Sequence, residues 1–292
     1  MPQAPNAKRV IIICGATATG KTALAINAAR HFQTEIISCD SRQCYREMTI
    51  GVAKPSPGEL QEVPHHFINS HSIHEEVNAA IFQDYALNKC NELFVHHDTV
   101  VMVGGTGLYI KAFAEGIDEI PPIDPSFRKQ IVEEYQSRGL SWLQQAVRSE
   151  DPLYFSTGEI QNPQRLMRAL EVIRGTGKSI RSYQRGQSIQ RDFEITKIAI
   201  DVPREELNQR INHRVDVMME SGLFEEAKGL YPYRHLPALK TVGYAELFDH
   251  FEGKLSLTEA IDRIKINTRQ YAKRQLTWFK KDKEVMWGKG EW

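Results

Sequence analysis

The chain has 292 residues, and its 37 Lys and Arg are matched by 37 Asp and Glu, so the formal net charge is zero. That length carries a full α/β core plus an inserted unit, while the neutral balance excludes capture of a polyanion by the molecule as a whole and leaves such a partner to a local patch. No run approaches the ~20 apolar residues of a membrane helix, no signal-like segment opens the chain, and Cys14, Cys39, Cys44 and Cys90 contain no C-x-x-C pair, which together point to a reducing, cytoplasmic setting.

The first predicted strand, Val10-Ile11-Ile12-Ile13-Cys14, runs into Gly15-Ala16-Thr17-Ala18-Thr19-Gly20-Lys21-Thr22, and an Ala-rich helical stretch follows from Ala23 to Phe32. This is the order that a phosphate-cradling G-x-x-x-x-G-K-[ST] loop requires. The glycines let backbone N–H groups converge on one anion, the new helix adds its positive end, Lys21 reaches the terminal phosphate, and the Thr22 hydroxyl is placed to hold Mg²⁺. A second β-rich run, 35–39, delivers Asp40 to the same crevice. Asp40 reads either as a turn or helix-cap carboxylate, or as a general base or metal-associated group. His65, His66, His71 and His74 have no cysteine nearby and fit no standard metal spacing.

A third run, 99–103, ends in Gly104-Gly105-Thr106-Gly107 with no acid at its tip. Transfer of a γ-phosphate ordinarily uses an acid there, so the expected chemistry is one in which an anion is held and released. The alternation predicts an α/β fold, a P-loop NTPase-like parallel sheet flanked by helices, with ligand groups at the strand ends. Ile120-Pro121-Pro122-Ile123-Asp124-Pro125 interrupts it, and a strongly helical stretch follows. The expected division is therefore 1–120 as the first part of the core, 121–191 as a helical insertion, and 192–292 as the second part with a basic C-terminal helix.

Within the insertion, Asn162 caps a helix that Pro163 opens, and Arg165 and Arg168 share a face away from Leu166, Leu170 and Ile173. Such a pair suits phosphates, although two arginines on a helix are ordinarily just solvated. Strand character returns at 193–202, and two long helices are predicted at 204–230 and 257–281, the second opened by a capping box from Ser256 to Glu259. Arg210 and Arg214 lie one turn apart on the first, with Glu206 in reach of Arg210. From Arg263 to Lys283 the chain holds eight Lys or Arg against one acid, interleaved with Tyr271, Trp278 and Phe279. This patch suits RNA phosphates and unstacked bases, or else its aromatics anchor the helix on the core.

The segments GATATGKT, DSRQCY with IGVAKP, VPHHFI, VGGTGLYIKA, NPQRLMRALEV and RQYAKRQLTWF together resemble the isopentenyl-tRNA transferase (IPP transferase) family, the bacterial tRNA dimethylallyltransferases, in order and over nearly the whole chain. The loop departs from the usual family form in having Ala16 for Pro and Thr19 for Ser. The resemblance implies transfer of the dimethylallyl group of dimethylallyl diphosphate to N6 of adenosine 37, in tRNAs reading codons that begin with U, with release of pyrophosphate. It implies Mg²⁺ as cofactor, the tRNA anticodon stem-loop as partner, and a monomer. Gly15 to Thr22 become the diphosphate- or nucleotide-binding loop, Lys21 neutralises the leaving group, Thr22 holds Mg²⁺, Arg214 attends the pyrophosphate, and Asp40 is the base. Contacts to tRNA are implied for Asp40, Ser41, Arg42, Gln43, Thr106, Arg128, Gln164, Arg165, Leu166, Met167 and Arg168. The rival readings are a P-loop nucleoside or small-molecule kinase, which lacks its acid here, an isopentenyltransferase acting on free adenylate, and an RNA-binding regulator that uses the loop as a ligand sensor. The helical insertion and basic helix argue for a large RNA acceptor over a free nucleotide.

Overall fold

The structure, a computed structural model, describes residues 7–184, 186 and 189–289. These fall into two compact units, one made of Met1–Gly116 with Ile189–Trp292 and the other of Ile117–Ser188.

The first unit is built on β1 (Arg9–Cys14), β2 (Ile36–Ser38), β3 (His65–His66), β4 (Thr99–Gly104), β5 (Glu194–Ile200) and β6 (Val285–Gly288). They form one sheet in the order β3-β2-β4-β1-β5-β6, and every pairing is parallel. A strand with parallel neighbours on both sides and helices on both faces has no wet side, which is why β1 reads as an unbroken apolar run. Val10, Ile12 and Cys14 face one core, shared with Phe82, Phe113 and Phe279, while Ile11 and Ile13 face the other, shared with Ala25, Ala28 and Ala29. The helix α1 (Lys21–His31) supplies those alanines, and the first core is covered by α3 (Ala79–Leu93), α4 (Gly107–Glu115) and later helices; α2 (Pro57–Glu62) is a single capped turn. Cys14 pairs with Gly104 of β4 and Ala199 of β5, so the three strands end level and their following loops share one edge.

In the second unit, α5 (Pro125–Glu150), broken at Gly139 where φ is 75°, packs with α6 (Pro152–Thr157) and α7 (Pro163–Thr176) around Ile131, Leu143, Val147, Tyr154 and Leu170. The Asn162 side chain accepts from the N–H groups of Gln164 and Arg165, and Gly177 closes α7 at φ 70°. The N-terminal end of that helix is as its sequence predicts.

After β5 the single helix expected over 204–230 is two. α8 (Arg204–Glu220) and α9 (Leu223–Leu230) are separated by Gly222 at φ 100°, a left-handed conformation that glycine adopts without steric penalty. α10 (Tyr244–Phe251) follows, and α11 (Leu257–Phe279) opens with the expected Ser256–Glu259 capping box. Among the described residues no helix is long and apolar enough to cross a membrane.

Candidate active site

The phosphate loop bends through two glycines with positive φ, Gly15 at 128° and Gly20 at 92°, and through Ala18 at 63°, a conformation costly for a residue bearing a Cβ. Gly20 caps α1 without a side-chain hydrogen bond, so the N–H groups of the first turn are left to an anion. Packing holds the strained loop in place. Ala16 and Ala18 are buried against Leu207 and Ile211 of α8 and Ala272 of α11, and the Thr19 hydroxyl, also buried, donates to the Ala16 carbonyl at 2.9 Å. Ala16 and Thr19, the two departures from the family loop, are therefore interior residues.

The cationic side of the site consists of Lys21 and Arg214. Lys21 donates to the Ala16 carbonyl, and Arg214 Nη1 donates to Thr17 Oγ1 at 3.3 Å. Burial, reinforced by the nearby Arg214 cation and opposed by the Asp40 carboxylate, pushes Lys21 down to about 8. Burial likewise lowers Arg214. Two crowded cations held by neutral partners are poised for negative charge. Arg210, by contrast, turns to Glu206 at 2.5 Å and belongs to the helix surface.

Asp40 is half-buried just past β2. Its two hydrogen bonds among the described residues, from the N–H groups of Arg42 at 2.8 Å and Gln43 at 3.3 Å, fall on Oδ1, which leaves Oδ2 for a ligand. The turn reading of this residue accounts for Oδ1 and leaves Oδ2 without a hydrogen bond among the described residues. Thr106, at the start of α4, accepts at Oγ1 from the Ser41 N–H at 3.0 Å and joins the third strand's turn to the Asp40 loop. Gln43 is spanned by Ser38 and the carbonyls of Val52 and Ala53. Arg42 lies with Ser41, Lys240, Tyr271 and Arg274 around a cavity of about 510 Å³. β4 ends in glycine, with no acid at its tip.

Residues 15–22, Asp40 to Gln43, Thr106 and Arg214 are thereby brought to one edge of the first unit. Arg128, Gln164, Arg165 and Arg168 cluster in the second. There Arg165 pairs with Glu159 at 3.0 Å, Arg168 with Glu171 at 2.9 Å, and Arg128 reaches Gln164 at 2.9 Å. Arg165, Arg168 and Arg181 line a cavity of about 450 Å³ at the start of α7. The side chains of Leu166 and Met167 are buried in the core of this unit, because the helical period turns them inward when Arg165 and Arg168 face out, so a contact of these two with RNA would have to run through the backbone.

Two supporting residues have no signal in the sequence. The Glu226 carboxylate on α9 accepts from the N–H groups of Thr49, Ile50 and Gly51 at 2.9–3.1 Å and from the Tyr244 hydroxyl at 2.5 Å, anchoring the loop that follows Asp40. Gln275 on α11 meets both the phosphate loop and the Gly105 turn. Their partners lie far away along the chain, where local pattern carries no information.

A family model described as IPP transferase matches residues 43–282. A tRNA dimethylallyltransferase of Christiangramia forsetii is 49% identical over 278 residues, covering 95% of this chain and 92% of the relative, and one of Flavobacterium johnsoniae is 46% identical over 286 residues, covering 96% and 93%. The crystal structure of the full-length tRNA isopentenylpyrophosphate transferase from Bacillus halodurans superposes with a TM-score of 0.70 at 37% identity, covering 96% of this chain and 89% of that one. A eukaryotic dimethylallyltransferase captured acting on tRNA gives a TM-score of 0.78 at 26% identity, covering 96% and 73%.

Proposed function

The chain belongs to the IPP transferase family, and from that membership we infer that it prenylates tRNA, moving the dimethylallyl group of dimethylallyl diphosphate to N6 of adenosine 37. The observation that carries this reading is the opening of the phosphate loop and Asp40 onto one edge of the sheet, beside a third strand that ends in glycine.

The N6 amine is conjugated into adenine and is a poor nucleophile. A carboxylate oxygen of Asp40 hydrogen-bonded to it raises its electron density as it attacks the allylic carbon; the N–C bond forms, the C–O bond to diphosphate breaks, and the N6 proton passes to Asp40. Negative charge accumulates on the departing pyrophosphate, where the loop N–H groups, Lys21 and Arg214 are already turned. The Thr22 hydroxyl would hold Mg²⁺ with the diphosphate, since that cation binds through few protein ligands when phosphates supply the rest. It would neutralise diphosphate charge. Ser41, Arg42 and Gln43 beside Asp40, with Thr106 bonded to Ser41, would meet the acceptor nucleotide, and Arg128, Gln164, Arg165 and Arg168 would serve the RNA backbone from residues 121–191. We read the protein as a monomer that meets its tRNA acceptor in the cytoplasm.

Incubation with dimethylallyl diphosphate, Mg²⁺ and unmodified tRNA, followed by nucleoside mass spectrometry, tests the reading through the appearance of N6-(dimethylallyl)adenosine. Production of ADP from ATP without tRNA would support the kinase reading instead.

A further inference from the structure

We propose that Gln275 is a positioning residue that fixes the separation between the diphosphate loop and the acceptor turn, and so sets the rate of prenyl transfer without binding either substrate. Gln275 is buried on α11. Its Oε1 accepts from the Thr17 N–H at 2.9 Å, and its Nε2 donates to the Gly105 carbonyl at 2.9 Å. One planar amide therefore joins the middle of the donor loop to the turn that carries Thr106. Thr106 in turn holds the Ser41 N–H, one residue from Asp40. Donor cradle, amide and base are thereby linked by three hydrogen bonds and the peptide bonds that join Gly105 to Thr106 and Asp40 to Ser41.

The surroundings are built for that amide. A Cβ placed on Gly105 would lie 2.1 Å from Gln275 Nε2, so the turn admits the side chain only because residue 105 is glycine. A neighbouring glycine repeats the device, since a Cβ on Gly107 would lie 2.3 Å from Trp278, one helical turn beyond Gln275. α11 is itself tied to the helix that bears Arg214, through Arg269 to Asn212 and Lys265 to Asp216 at 2.6 Å. The same helix thus braces three parts of the site.

Why this controls rate follows from the reaction geometry. Displacement at the allylic carbon needs the N6 nitrogen, the carbon and the leaving oxygen aligned, with reacting atoms about 3–3.5 Å apart, and a misplacement of about 1 Å costs on the order of a hundredfold. A side chain that spaces two loops without touching a ligand acts on that alignment and leaves affinity alone.

The inference rests on the prenyl-transfer reading, and the wild-type arm of the experiment tests that reading separately. Gln275→Met keeps length and burial while removing both hydrogen bonds; Gln275→Glu keeps the acceptor for Thr17 and loses the donor to Gly105. Single-turnover transfer at saturating dimethylallyl diphosphate and tRNA should fall about a hundredfold in Gln275→Met and at least tenfold in Gln275→Glu. The Kd for tRNA should stay within about threefold of wild type in both, and that for dimethylallyl diphosphate within about threefold in Gln275→Met. A wild-type protein that leaves tRNA unmodified would defeat the functional reading. An active wild type with either folded variant transferring at the wild-type rate, or with losses confined to Kd, would overturn the role of Gln275. If Gln275→Met gives no cooperative melt, Gln275→Glu carries the test alone.

Discussion

At the scale of the residue, the site separates roles that a single side chain combines. Asp40 uses Oδ1 to hold its own turn, so removal of the whole carboxylate alters the loop as well as the chemistry. Asp40→Asn keeps an Oδ1 acceptor and loses the base. We expect its single-turnover transfer to fall by roughly 10²- to 10⁴-fold with tRNA affinity within a few-fold, measured by nucleoside mass spectrometry beside a filter-binding titration; near-normal transfer would remove Asp40 from its role. Lys21 yields a second expectation. Its ammonium is pushed down to about 8 in the unliganded protein, first by burial and then by Arg214, and a bound diphosphate must raise it again. The charged form binds the ligand, so near and above pH 8 proton uptake at Lys21 should accompany binding of dimethylallyl diphosphate. Its affinity should be fully present below about pH 8 and decline by up to tenfold per pH unit above it. Calorimetry in buffers of different ionisation enthalpy, with Lys21→Met as reference, checks this; identical pH slopes for the two proteins would refute it.

At the scale of the element, α7 shows where sequence reading succeeds and where it stops. Its cap, its proline and its arginine face follow from residues within one turn of each other, and all are as read. The pairing of Arg165 with Glu159 and of Arg168 with Glu171 means that an RNA phosphate must compete with a carboxylate already in place. Replacing both arginines with Gln should weaken tRNA binding, reduce the salt dependence by at most about two released counterions, and leave affinity for dimethylallyl diphosphate unchanged. Glu159→Gln should do the reverse and tighten tRNA binding. A double variant with the wild-type salt slope would make this helix a solvated face. Four of the six strands were legible because a buried strand writes itself as an apolar, β-branched run closed by glycine or Asp, whereas the edge strands β3, two histidines, and β6, Val-Met-Trp-Gly, carry no such run. The break between α8 and α9 was not, because Gly222 looks like a tolerated helical glycine until its positive φ is known. Glu226 and Gln275 were invisible for a different reason: each acts on loops more than a hundred residues away, and an acid or amide on a polar helix has no local signature.

At the scale of the whole molecule, residues 117–188 interrupt the first unit without stretching it. The Ile189 N–H donates to the Glu115 carbonyl at 2.8 Å, so the chain leaves and re-enters the sheet-bearing unit at neighbouring points. The second unit has its own core around Ile131, Leu143 and Leu170. Replacing 117–188 with a short Gly/Ser linker should therefore preserve a cooperative melt and hold the Kd for dimethylallyl diphosphate within about threefold, while tRNA affinity falls at least tenfold. Loss of the melt in circular dichroism would show that the sheet depends on the segment that was removed.

The placement of β1 between β4 and β5 also dictates an order of events during synthesis. β1 emerges first, yet one of its partners is made only after the entire helical unit has left the ribosome. Until then an apolar strand of Val and Ile waits with an open edge, the kind of surface that pairs with other chains. The helical unit, whose contacts are local, forms quickly. The phosphate loop comes later still, because α8 and α11 grip it from the last third of the sequence. A nascent chain stalled before α11 is expected to hold a folded helical unit beside an unformed donor site, so affinity for dimethylallyl diphosphate should appear only once α11 has been made.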